Sequence, residues 1–170
     1  KIYRSSAPGL PIAAYDDLSA FKIYLVDVGL LRRLAHLAPT AFGEGNRLFT
    51  EFKGALSENY VLQALKNQFE VIPRYWSQTN PPYEVDFLIQ RENDIIPVEV
   101  KAETNTESRS LKSFKEKFPD QVKLRVRFSL NNLKQDGDML NIPLFMADYA
   151  DKLIGMALST TACKNHLTDN

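Results

Sequence analysis

The stretch PYEVDFLIQRENDIIPVEVKAE, residues 82–103, decides the fold. Two apolar runs flank a polar break at Arg91-Glu92-Asn93-Asp94, the pattern of two strands joined as a hairpin. Strands with a core to fill keep charges at their ends, yet Asp86, Glu99 and Lys101 lie among Val85, Phe87, Ile89, Val98 and Val100. Alternation assigns Val85, Phe87 and Ile89 to one face and Glu84, Asp86 and Leu88 to the other. In the second strand Val98 and Val100 oppose Glu99 and Lys101. A loop at Glu92-Asn93 sets Asp86 across from Glu99, and one at Asn93-Asp94 sets it across from Lys101. Either register gathers the three charges on one face, whereas a one-residue slip would drive charge into the core.

Outward from the hairpin, apolar spacing predicts a long helix from Phe49 to Phe69, with Ala55, Leu62, Leu65 and Phe69 toward the core. Glu58 falls on that stripe and reaches either the sheet or solvent. RYWSQ (74–78) reads as a strand before the hairpin, and SRSLKSFKEKFP (108–119) as a short amphipathic helix after it. VKLRVRFSL (122–130) alternates as another strand, NIPLFMA (141–147) as a short extended segment, and DYADKLIGMAL (148–158) as a closing helix. Upstream, FKIYLVD (21–27) has strand period and Asp27 can cap a helix through VGLLRRLAHL (28–37). Residues 1–20 read as turn-rich. The order describes an α/β domain with a mixed central sheet flanked by helices. Residues 1–45 are expected as an appendage, 46–158 as the main domain with GEGN (43–46) at the boundary, and 159–170 as a disordered tail.

Twenty-one basic and 21 acidic residues leave no net charge, so any nucleic-acid surface must be a local patch. One cysteine excludes an internal disulfide framework, and two distant histidines give imidazole catalysis little support. Phosphate-loop, dinucleotide-binding and HExxH motifs are missing. With no signal peptide and no long apolar run, the cytoplasm is the expected compartment. Lys1 in place of Met raises the expectation of a longer parent chain.

A face carrying Asp86 and Glu99 suits Mg²⁺ or Mn²⁺, which takes one or two hard carboxylates and keeps several waters. Lys101, one pleat on, can orient an attacking water or offset charge on a phosphate. If the helix bearing Glu58 packs over this face, a third carboxylate joins the metal. The alternative is plain cross-strand ion pairing on a wet face. Lys123, Arg125 and Arg127 make a basic ladder, with Lys112, Lys115 and Lys117 on the preceding helix. Either they track a phosphate backbone or they protect an edge strand. Tyr75 and Trp76 stack on a base or fill the core. Glu84 is a further ligand or a partner for Lys101, and Glu103 a wet strand end.

The types and order of Glu58, Asp86, Glu99 and Lys101 resemble the PD-(D/E)XK, or restriction-endonuclease-like, superfamily. More narrowly, FKIYLVDVGLL (21–31), GALSENYVLQAL (54–65), EVDFLI (84–89) and PVEVKA (97–102) resemble the C-terminal domain of unknown function that follows the ATPase module in many prokaryotic AAA-type ATPases. The resemblance runs from about Lys1 to PLFMADY (143–149). It implies a restriction-endonuclease-like core, those four residues in the active-site positions, a Mg²⁺-dependent nuclease chemistry and an ATPase module upstream. The rival expectation is an inactive module that binds nucleic acid or protein for that ATPase, or mediates its assembly.

Overall fold

The computed structural model describes residues 1–38, 47–103 and 107–168, with backbone alone at 47–49 and 162–168. Its strands are β1 (Ile2–Ser5), β2 (Asp16–Lys22), β3 (Arg74–Gln78), β4 (Tyr83–Arg91), β5 (Asp94–Val100), β6 (Arg125–Ser129), β7 (Lys134–Asp136) and β8 (Met139–Pro143). The helices are α1 (Val28–Leu34), α2 (Arg47–Gln68), α3 (Arg109–Lys117) and α4 (Ala150–Thr168), with 3-10 turns at Ile12–Tyr15 and Leu144–Tyr149. Among the described residues the strands form one mixed sheet in the order β2-β1-β3-β4-β5-β6-β8-β7.

The hairpin expected at 82–103 is β4–β5, antiparallel, with Arg91 opposite Asp94 and Phe87 opposite Val98. This is the Glu92-Asn93 loop. Glu92 occupies the left-handed region at φ 51°, as the first position of a two-residue hairpin loop demands. From β5 the chain crosses over through α3 to β6, which pairs parallel to β5. A parallel neighbour needs such a crossover, so the amphipathic run at 108–119 has a topological task. β8 pairs parallel to β6, and β7 turns back beside it at Gly137, whose φ is +57°.

Helices cover both faces of the sheet. On one face α2 and α4 bury Val61, Leu65 and Ile154 against Phe87, Ile89, Val98, Val126 and Phe128. On the other, Leu111 and Phe114 of α3 pack with Trp76, Leu88 and Ile95. Burial on both sides explains why alternation in β4 and β5 yields apolar residues in both parities. Aromatic pairing reinforces the second layer, with the Trp76 and Phe114 ring centroids 5.0 Å apart. Trp76 and Tyr75 are therefore core residues.

Several expectations are corrected. Residues 1–45, expected as an appendage, include β1 and β2, which extend the same sheet through Arg4 opposite Tyr75. β2 ends at Lys22, so FKIYLVD is only partly strand. Helix α4 continues through Thr168, past residue 158. Ala55 is exposed and Leu56 takes its place, packing with Leu37 and with Val28 and Leu31 of α1. β6 is an interior strand, since β5 and β8 occupy its two sides, so it is no charged edge. The break expected at 43–46 lies outside the described residues.

Candidate active site

Asp86 occupies an irregularity in β4. Arg74 of β3 pairs with Leu88 but Trp76 pairs with Val85, so the register shifts between them. Two steps of β3 face three of β4, the signature of a bulge that re-aims a side chain. Val85 consequently joins Leu88 in the α3-side layer, while Phe87 and Ile89 remain in the α2/α4 layer. Simple parity, which put Val85 with Phe87 and Leu88 with the charges, fails here because the bulge adds a residue. Beyond the Phe87–Val98 pair, the Asp86 carboxylate replaces a ladder acceptor: Val100 N–H donates to Oδ2 at 2.7 Å.

On the α2 side, Asp86 feels Glu58. Burial and that neighbouring carboxylate push the Asp86 carboxyl up to about 7, against the opposing pull of the Val100 N–H and Lys22. Tyr24 donates to Glu58 Oε2 at 3.1 Å, and its ring lies 5.8 Å from Phe87. Burial, then Glu58, hold the Tyr24 phenol far above its ordinary range. The strap carrying Tyr24 is fastened to α2 by buried Asn59, which accepts from Leu25 N at 2.8 Å and donates to Leu25 O at 3.2 Å. Gln63 donates to Val26 O as well.

Glu99 approaches from β5. It sits between Val98 and Val100, both in the α2/α4 layer, so it projects toward the α3 face. It is 5% exposed. Lys101 Nζ lies 3.0 Å from its Oε1, and its Oε2 is buried without a hydrogen-bond partner. An ionisable oxygen left so is costly unless a cation or donor reaches it. Glu99 is near enough to Asp86 to add to the rise of that carboxyl. The two carboxylates therefore stand on neighbouring strands at the end of the β4–β5 ladder, on different sheet faces.

Glu58 and Glu99 each act on Asp86, and Lys101 pairs with Glu99. Among the described residues, however, no three His, Cys, Asp or Glu side chains form a group able to hold a metal ion. A hard divalent cation needs only one or two protein carboxylates, so the donor pair Asp86 and Glu99 fits it chemically. The orphaned Glu99 Oε2 is the atom that such an ion would satisfy.

The basic candidates are engaged within the fold. Lys123 pairs with Asp94 at 2.7 Å, Lys112 with Glu116 at 3.9 Å, and Arg125 with Asp138 at 2.5 Å. Arg127 donates from Nε to Asn141 Oδ1 at 3.1 Å and from Nη1 to Ser108 Oγ at 3.3 Å. It also stands opposite Glu99 across the β5–β6 ladder, so it belongs to the site's surroundings. Glu84 bonds Lys22 rather than Lys101, and Glu103 pairs with Lys53 at 3.2 Å. Reading the sequence misses Lys22, Tyr24 and Asn59. They are far from the hairpin along the chain, and the segment carrying Lys22 and Tyr24 reads only as a strand and its following cap.

A family profile described as a domain of unknown function (DUF4143) matches residues 53–145, and the chain belongs to that family. No curated protein and no solved structure matches.

Proposed function

We propose that this member of the DUF4143 family is a restriction-endonuclease-like, PD-(D/E)XK nuclease domain that hydrolyses phosphodiester bonds of DNA or another nucleic acid, in the service of an AAA-type ATPase module in the same protein. The single observation that carries the reading is the buried, partnerless Oε2 of Glu99, whose other oxygen pairs with Lys101. The substrate class follows from the resemblance of four spaced motifs, since a fold alone assigns no chemistry.

In this reading Asp86 and Glu99 would hold Mg²⁺ or Mn²⁺, with Glu58 supporting them from α2. When bound, the ion would polarise the phosphate and neutralise its developing charge. Asp86 contributes its second oxygen while Val100 N–H fixes the first, so the carboxylate enters the site with its rotamer already set. Lys101 is held at Glu99 Oε1 and orients the water that attacks phosphorus as the bridging P–O bond breaks.

Cleavage of plasmid and single-stranded DNA is measured with Mg²⁺ or Mn²⁺, comparing wild type with Asp86→Ala and Lys101→Ala. Metal-dependent cutting lost in both variants is the expected result. Cutting that survives either substitution removes the assignment. A second reading draws on the missing group of three ligands among the described residues: an inactive module that binds nucleic acid or protein for the ATPase. It predicts no cleavage and no metal binding.

A further inference from the structure

A pocket of about 460 Å³ opens beside Glu58, between the strap after β2 and the first half of α2. Tyr24, Leu31 and Phe52 supply its apolar wall, Gly54 its floor on the helix, and Lys22 and Glu58 its polar rim. The two rim residues also belong to the site. Tyr24 in the pocket wall donates to Glu58 Oε2 at 3.1 Å, so the pocket adjoins the candidate site at Glu58. We propose that this pocket receives the base of a single unpaired nucleotide, making a single-stranded or frayed nucleic acid the preferred substrate. The inference rests on the nuclease reading for the identity of the group bound at Asp86 and Glu99.

Three features favour this occupant. The volume suits one nucleoside and is far too small for a base pair, so a duplex would have to unpair first, at a cost of a few kcal/mol. Flat aromatic surface from Tyr24 and Phe52 next to a cation is the recurring chemistry of single-strand recognition, where stacking is indifferent to base identity. Gly54 lies inside the 22-residue helix α2, and a Cβ built there meets no atom within 4 Å. Packing does not ask for glycine at that position, and nearly every other residue would make a better helix. An open pocket floor does ask for it. With the phosphate at the carboxylates, the sugar would pass Lys22 and the base would enter between Tyr24 and Phe52.

The test uses a short oligonucleotide carrying 2-aminopurine, single-stranded or in a blunt duplex, with Ca²⁺ to support binding. The proteins are wild type, Gly54→Phe and Phe52→Leu, each with its melting temperature. Wild type is expected to bind the single strand about tenfold or more tightly than the duplex, with a change in 2-aminopurine fluorescence. Gly54→Phe, which plugs the pocket, is expected to lose about tenfold in affinity while its melting temperature holds or rises. Phe52→Leu keeps the apolar contact with α1 but weakens stacking, and falls between the two. Equal affinity for both nucleic acids, unaltered binding by Gly54→Phe, or no binding at all overturns the pocket. Cleavage of the same oligonucleotides in Mn²⁺ reports separately: selective binding without cutting removes hydrolysis and leaves the pocket. Cutting without strand preference removes the pocket and leaves hydrolysis.

Discussion

Replacing Asp86 by asparagine isolates the electrostatic burden of the site. The carboxyl is raised from 3.8 to about 7 by burial first and by Glu58 second. A folded-state value above the unfolded one means that the folded protein holds the proton more firmly. Stability from this group is therefore fully present below about pH 4 and drains away as pH rises, levelling off above about 7. The difference amounts to about 4 kcal/mol against the ionised form at pH 8. Asparagine mimics the protonated state, and its carbonyl oxygen can still accept from Val100 N–H. Asp86→Asn is thus expected to match wild type near pH 4. Its advantage should grow by about 1.4 kcal/mol per pH unit and flatten above about pH 7. Urea denaturation of both proteins from pH 4 to 8.5, in chelator, measures this directly. At alkaline pH the variant would melt on the order of 10 °C higher. A variant no more stable than wild type at pH 8, or an advantage independent of pH, refutes the reasoning. Under the proposed function, Mn²⁺ should stabilise wild type more at pH 8 than at pH 5, and leave Asp86→Asn nearly unchanged.

Asn59→Ala removes both bonds that hold Leu25 to α2. It should destabilise the fold by about 1–2 kcal/mol by thermal melting, because the half-buried Leu25 backbone groups lose their partners. Hydrogen exchange of the Leu25 amide should speed up in the same variant, and an unchanged rate would argue that the strap is held elsewhere. Glu92→Gly relieves a left-handed residue at the hairpin loop and loses only a surface pairing with Arg91 at 3.6 Å. It should gain roughly 0.5–1 kcal/mol in denaturation experiments, and a loss would show that the turn is not strained.

Much of the architecture was legible because local chemistry and tertiary packing agree. Asp27 caps α1 through Leu30 N at 2.8 Å, as its position before an apolar helical run requires. The polar break between two apolar runs produces the β4–β5 hairpin, and the helical stripe at 62, 65 and 69 produces the inner half of α2. Leu111 and Phe114 recur at helical spacing and seat α3 on the sheet. These patterns need only a residue and its near neighbours.

What the chain alone could not decide depends on partners remote in sequence. Strand period assigned Asp86 a face, but pairing with β3 imposed the bulge that re-aims it, and nothing in EVDF announces an extra residue. The same period offered one core face, whereas α3 on one side and α2 with α4 on the other bury both. The basic ladder of β6 looked available until the fold set Arg125 against Asp138 and Arg127 against Asn141. By itself the sequence determined which residues carry charge into the hairpin and that they lie in adjacent strands. Tertiary structure decided that Glu58 and Tyr24 pack near Asp86, that Glu99 is buried beside Lys101, and that one glutamate oxygen is left without a partner. Burial and long-range pairing set those outcomes, and both are properties of the assembled sheet.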